Sequence, residues 1–162
     1  MASPASIMRH PIHPMLIPFP IALWVFSFVA DLIYLWRGNA GWEWMAFWTL
    51  LAGCIGAVAA AIFGIIDWLS IKDPEVKKVA DWHARLNVIA LLIFAASWYL
   101  RTTNGSRMIS GSLTIPIALS VVGVILITIS GWLGGELVFK HGVAVNPQND
   151  SPGEEAAKAR VS

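Results

Sequence analysis

The chain has 162 residues, of which 57% are apolar and only 13% are charged, and it contains nine tryptophans. This composition is too apolar for an ordinary soluble domain, so we expect the protein to lie in a membrane. The formal net charge is +1, and the basic residues are scattered without a groove-sized cluster. We therefore expect the lipid bilayer, and not nucleic acid, as a partner.

The N-terminal segment MRHPIHPMLIPFP contains two histidines, His10 and His13, each followed by a proline. A proline disfavours helix in the residue before it, so both histidines are predicted to be extended. In polyproline II geometry their imidazoles would point the same way but stand roughly 9 Å apart, too far to share one ion without a bend. Alternatively, His13 only flanks a helix whose first turn contains Pro14.

Four apolar stretches follow that are long enough to cross a hydrocarbon core about 30 Å thick, which requires roughly 20 residues per helix. They are Pro14 to Trp36, Trp44 to Asp67, His83 to Leu100, and Leu113 to Phe139. The first has no clear small-residue cleavage site after it, which is typical of a retained span. The predicted fold is an all-α membrane protein, a four-helix antiparallel transmembrane bundle over residues 1–145. Residues 146–162 contain too few apolar side chains to order themselves and are predicted to form a flexible polar tail.

Several kinds of site are excluded by what the sequence lacks. The single cysteine, Cys54, lies in the second apolar stretch, so there is no disulfide framework, no CxxC metal motif and no CxxCH motif for covalent haem attachment. No serine or cysteine has a histidine and a carboxylate at a recognisable motif spacing, and GWLGG lacks the lysine and serine of a phosphate-binding loop. Polar residues collect at the span ends, whereas a transporter usually has them near the bilayer midplane.

The histidines are predicted to share one membrane face, because they come from the same-side ends of spans one, three and four. These histidines are His10, His13, His83 and His141. The acids at a similar depth are Asp67, Asp81 and Glu136. The clustering indicates a shared site without proving one.

The predicted site combines His10 or His13 with His83 and His141. His83 and Asn87 are four residues apart and so share a helix face, which we expect to turn inward. A neutral ligand histidine normally has its second ring N–H held by a neighbouring group, so polar partners are expected around the site: Asp67, Asn87 and Glu136. His141 precedes Gly142, a natural helix stop, so it is equally explained as a residue favoured by the helix dipole.

Small residues form a stripe in each of two spans: Gly56, Ala60 and Gly64 in the second, and Gly123, Gly131 and Gly135 in the fourth. Such stripes let helix backbones approach closely. They could also clear room for a flat cofactor.

The basic residues are distributed unequally between the two faces. The face with both termini has Arg9, Lys72, Lys77, Lys78, Arg85, Lys140, Lys158 and Arg160. The opposite face has Arg37, Arg101 and Arg107. The positive-inside rule therefore predicts that both termini are cytoplasmic, in a bacterial inner membrane.

Four segments, HPIHPMLIPFPIAL, GIIDW, DWHARLN and GGELVFKHGVAV, resemble the bacterial membrane proteins of the family called domain of unknown function 2231. The likeness runs from about His10 to Val145. It implies a four-helix membrane bundle with recurrent histidines that match His10, His13, His83 and His141. Members often have a histidine where this chain has Pro18, so one potential ligand is absent. Some relatives are joined to Rieske-type iron–sulfur domains, which points to electron transfer.

Histidine coordination within a bundle is the chemistry that these residues favour. Haem b requires two imidazoles on opposite sides of the iron, carried by different helices. A zinc or copper site requires three or four ligands at about 2.0 to 2.2 Å, for which His13, His83 and His141 with an acid are candidates. We prefer haem b and membrane electron transfer, as a component of an oxidoreductase with a redox partner or quinone. A non-haem metal site and a cofactor-free structural or partner-binding subunit are the alternatives, and a homo-oligomer is left open.

Overall fold

The computed structural model describes residues 3–8, 10–103 and 113–145, and its elements are almost all helical. They are β1 (Ser6–Ile7), β2 (His10–Pro11), α1 (Ile12–Leu16), α2 (Pro18–Arg37), α3 (Ala40–Ser70), α4 (Pro74–Thr103) and α5 (Thr114–Phe139). Helices α1 and α2 together form the first span, and α3, α4 and α5 form the other three. The predicted four-helix transmembrane bundle is confirmed. The predicted polar tail lies outside the described residues.

The structure corrects the geometry predicted for the N-terminal histidines. His10 is extended and pairs with Ile7 in the small antiparallel ribbon of β1 and β2. His13 is helical instead, because the chain turns at Pro11 into α1, where the amide of Ile12 donates to the carbonyl of Ala5 at 3.0 Å. Pro14 is tolerated there because the first turn of a helix needs no amide donor. The predicted spacing of two extended histidines therefore does not apply.

Helix α4 begins at Pro74, well before the apolar stretch that predicted it. The carboxylate of Asp73 accepts from the amides of Glu75 and Val76 at 2.9 and 3.3 Å, which caps the helix start. The helix therefore starts in polar sequence and continues into the apolar stretch. A search for apolar residues detects only the part of a helix that meets lipid, so His83 lies inside α4 and not at its start.

The helices form two tightly packed hairpins, α2 with α3 and α4 with α5, which meet each other less extensively. The core between them contains Trp24, Leu50, Ala90, Phe94 and Ile127. Trp24 stacks on Phe94 with 4.3 Å between ring centroids. Many large apolar side chains point outward instead, including Ile65, Leu92 and Ile125. This outward apolar surface is what four spans in a lipid bilayer require.

One ion pair joins the hairpins inside the bundle. Asp31 of α2 is 0% exposed, and Arg101 of α4 is 8% exposed. The guanidinium is bidentate, with Nη1 donating to Oδ1 and Nη2 to Oδ2, both at 2.7 Å. The pair satisfies the sequence expectation that Asp31 faces protein, water or a cation and not lipid.

Candidate functional site

His13 of α1 packs directly on α3. Its Nδ1 lies 2.8 Å from the carbonyl oxygen of Ala60, and its ring covers Gly64. A Cβ at Gly64 would come within 2.8 Å of the imidazole Cε1, so a side chain there would collide with the ring. The glycine therefore makes the close approach of the histidine to α3 sterically allowed.

His83 of α4 packs on α5 in the same way. Its Nδ1 lies 2.9 Å from the carbonyl oxygen of Ser130, and a Cβ at Gly134 would lie 3.0 Å from its Cε1. The hydroxyl of Ser130 also approaches Nδ1, at 3.1 Å. Both histidines are thus held against the backbone of the next helix by the same ring nitrogen.

This anchoring decides which nitrogen is available for a ligand. A backbone carbonyl only accepts, so we assign the proton of each neutral ring to Nδ1, which leaves the Nε2 lone pair available. The two imidazoles are close enough for a charge on His13 to act electrostatically on His83. The structure therefore brings together His13 and His83, with an Nε2 acceptor on each.

Asn87 lies one turn from His83, as its spacing predicted. Its amide nitrogen is 2.7 Å from Ser130 Oγ, 2.9 Å from the His83 carbonyl oxygen and 3.1 Å from His83 Nε2. An amide has two hydrogens for these three acceptors, and Nε2 is the most distant of them. Asn87 can thus release Nε2 and still donate both hydrogens.

His10 and Asp67 have other contacts. His10 is exposed, and its Nδ1 lies 2.9 Å from the carbonyl oxygen of Met8 in the same ribbon. Asp67 is buried and accepts from the hydroxyl of Ser3 at 2.5 Å. The carboxylate therefore ties the N-terminal segment to α3. A role of either residue in ligand binding stays a prediction.

His141 lies just beyond the end of α5. Glu136 accepts from Lys140 at 2.7 Å, and His141 Nε2 is 3.8 Å from the same carboxylate. Gly142 has a φ of +60°, so it ends the helix as predicted. Nε2 of His141 is buried without a hydrogen-bond partner in the described part of the chain. The polar partners described for His83 are Ser130 and Asn87, and the proposal that His141 joins His83 stays a prediction.

A multidentate metal centre finds no support in the part of the chain that the structure describes, since no group of three or more His, Cys, Asp or Glu there could hold a metal ion. The groups that hold the two imidazoles are backbone carbonyls, and the sequence analysis did not anticipate them. It also missed Gly134, having chosen Gly131 and Gly135, which touch no other helix closely. One sequence signal could have found Gly134: it follows Gly64 by the same 70 residues that separate His83 from His13.

A family model described as "Predicted membrane protein (DUF2231)" matches residues 9–147. The chain belongs to the DUF2231 family. No curated protein and no solved structure gives a significant match. The DUF2231 description agrees with the four apolar helices of the bundle, so this is a multi-pass membrane protein in contact with the lipid bilayer.

Proposed function

We propose that this DUF2231 protein binds b-type haem through His13 and His83 and transfers electrons in the membrane. The observation that carries the proposal is the matched anchoring of the two imidazoles, each with Nδ1 on a backbone carbonyl. Ligand histidines characteristically donate their second N–H in this way, which fixes the ring and increases its basicity. The two rings come from different elements, α1 and α4, as coordination from two sides requires.

The donor set fits haem better than it fits zinc or copper, because two neutral imidazoles complete a haem iron whereas zinc and copper take three or four ligands. When bound, haem would supply a one-electron carrier. The chain would contribute the remaining requirements. The carbonyls of Ala60 and Ser130 would orient the imidazoles, and the apolar helices would exclude water.

The proposed axial pair differs from the pair favoured by the sequence, which joined His83 to His141. Backbone carbonyls replace the acids Asp67 and Glu136 as the groups that orient the rings. We further propose that the protein lies in a bacterial inner membrane, with both termini and the histidine site on the cytoplasmic side. A redox partner or quinone would then exchange electrons at that face.

The test is an absorption spectrum of protein purified from haem-replete cells. Wild type is expected to show a Soret band and sharp bands on reduction, and His13→Ala and His83→Ala are each expected to lose them. His10→Ala is the matched control, because its exposed ring contacts only Met8 in its own ribbon. A spectrum lost in His141→Ala but kept in His13→Ala would restore the pair predicted from sequence.

A cofactor-free structural role is the second candidate, and a specific observation favours it. Each imidazole already joins two helices by a hydrogen bond, and the amide of Asn87 already approaches His83 Nε2. In that case the purified protein would be colourless and free of metal by elemental analysis, and histidine variants would only be less stable. Colourless protein with near-stoichiometric metal, lost in the same variants, would instead indicate a non-haem site.

A further inference from the structure

The contacts within the first hairpin recur in the second, 70 residues later. His13 bonds to Ala60 and covers Gly64, while His83 bonds to Ser130 and covers Gly134. All three positions are displaced by the same 70 residues. A common offset for a residue and both of its contacts is the mark of a repeated structural unit.

The same offset relates the middle of the helices. Trp24 covers Gly53, where a Cβ would lie 2.5 Å from the indole, and Phe94 covers Gly123, where the distance would be 2.6 Å. The unit α2–α3 is therefore repeated as α4–α5 over most of its length.

A serine also bridges each hairpin at equivalent positions. Ser27 Oγ donates to the carbonyl of Ala46 at 2.7 Å, and Ser97 Oγ donates to the carbonyl of Pro116 at 2.8 Å. Both serines are buried, as are the two residues that accept from them. The repeat thus extends to polar contacts, which depend more closely on backbone position than apolar packing does.

Between the hairpins, residues contact their own counterparts. Trp24 stacks on Phe94, and Asp31 pairs with Arg101, again 70 residues apart. In a two-fold arrangement only a residue on the axis can meet its own copy. Helices α2 and α4 run in the same direction, because α3 crosses back between them. The axis therefore runs along the bundle, as in parallel membrane repeats.

We infer that the chain is a fused two-fold dimer of a histidine-bearing helical hairpin, and that His13 and His83 hold one shared ligand on its axis. Residues 12–70 form one repeat and 82–140 the other. The haem identity of that ligand rests on the proposed function, but the axis and the sharing do not. The ligand class is a single metal centre approached by one imidazole from each repeat.

The unlike charges at positions 31 and 101 extend the inference. Two identical hairpins would place like charges together on the axis, and this would oppose their association. An aspartate in one repeat and an arginine in the other instead favour the pairing of unlike repeats. The ion pair thus directs the two halves of one chain toward each other and away from copies of themselves.

The decisive experiment exchanges the two charges in the full chain. Asp31→Arg and Arg101→Asp each place like charges on the axis, and each is expected to lower Tm in detergent by on the order of 10 °C. The double variant D31R/R101D is expected to recover most of the loss, because equivalent positions exchange roles. A double variant no more stable than the single variants would overturn the two-fold axis.

A milder exchange covers the case in which the single charge variants do not fold. Trp24→Phe and Phe94→Trp each change the packing on the axis, and W24F/F94W is expected to be more stable than the less stable of the two single variants. A double variant whose losses simply add would contradict the axis.

The shared ligand has its own readout in haem content per chain. One haem per chain, reduced to a similar extent in His13→Ala and His83→Ala, is expected; two haems per chain would show that the histidines serve separate sites. Colourless wild-type protein would refute the proposed function, while the exchange of charges would still decide the two-fold axis.

Discussion

At the scale of single residues, two glycines decide whether the histidines can reach the neighbouring helices. The Cβ of an alanine at position 64 would lie 2.8 Å from Cε1 and 2.9 Å from Nδ1 of His13, so the ring must move and lose its bond to the Ala60 carbonyl. We expect Gly64→Ala to destabilise the protein by roughly 1–3 kcal/mol, the usual cost of overpacking. Thermal unfolding in detergent measures it.

Gly131→Ala is the matched control, because nothing lies within 4 Å of a Cβ at that position in α5. Alanine has the higher helix propensity by up to about 1 kcal/mol, so this variant is expected to be neutral or slightly more stable. Equal effects at the two positions would mean that the close approach of His13 does not limit the side chain at 64. The haem content of Gly64→Ala, compared with Gly131→Ala, would show whether the position of the ring matters for the ligand.

At the scale of helices, buried serines join the two helices of each hairpin. Ser27 is 1% exposed and bonds across to α3, while Ser97 is 0% exposed and bonds across to α5. Interhelical hydrogen bonds in membrane proteins contribute about 0.6 kcal/mol on average and up to about 1.7. We expect Ser27→Ala and Ser97→Ala each to destabilise the protein within this range in denaturant unfolding.

Thr128→Ala provides a control for the serine variants, because its hydroxyl is exposed and bonds only within α5, to the Val124 carbonyl at 2.8 Å. It should change stability less than either serine variant does. The losses from Ser27→Ala and Ser97→Ala should add, since the two serines bond in different hairpins. A strongly non-additive double variant would show that the two hairpins are coupled through these serines.

At the scale of the whole molecule, the distribution of basic residues predicts the orientation. Arg101 is buried in its ion pair, so the face opposite the histidines has fewer free basic residues than the sequence count suggests. A reporter that is active only in the periplasm, fused to the C-terminus, should therefore be inactive, while a cytoplasmic reporter should be active. Strong periplasmic activity would place the histidine site on the outer face.

The sequence alone determined the membrane class, the number of spans and the existence of a polar helix start near His83. These features depend on composition, apolar run length and local spacing, which operate within one segment of chain. The pairing of His83 with Asn87 and the helix stop at Gly142 were predictable for the same reason. The length of α4 was not, because a cap at Asp73 extends the helix beyond its apolar part.

Only the tertiary structure decided which histidines meet and what holds them. The His13 and His83 imidazoles bond to main-chain carbonyls, and a carbonyl is present at every residue, so no side-chain pattern marks Ala60 or Ser130 as the acceptor. The ion pair of Asp31 and Arg101 likewise depends on how two hairpins face each other across an axis. Such contacts join residues far apart in the chain, and the packing of the helices, not local spacing, brings them together.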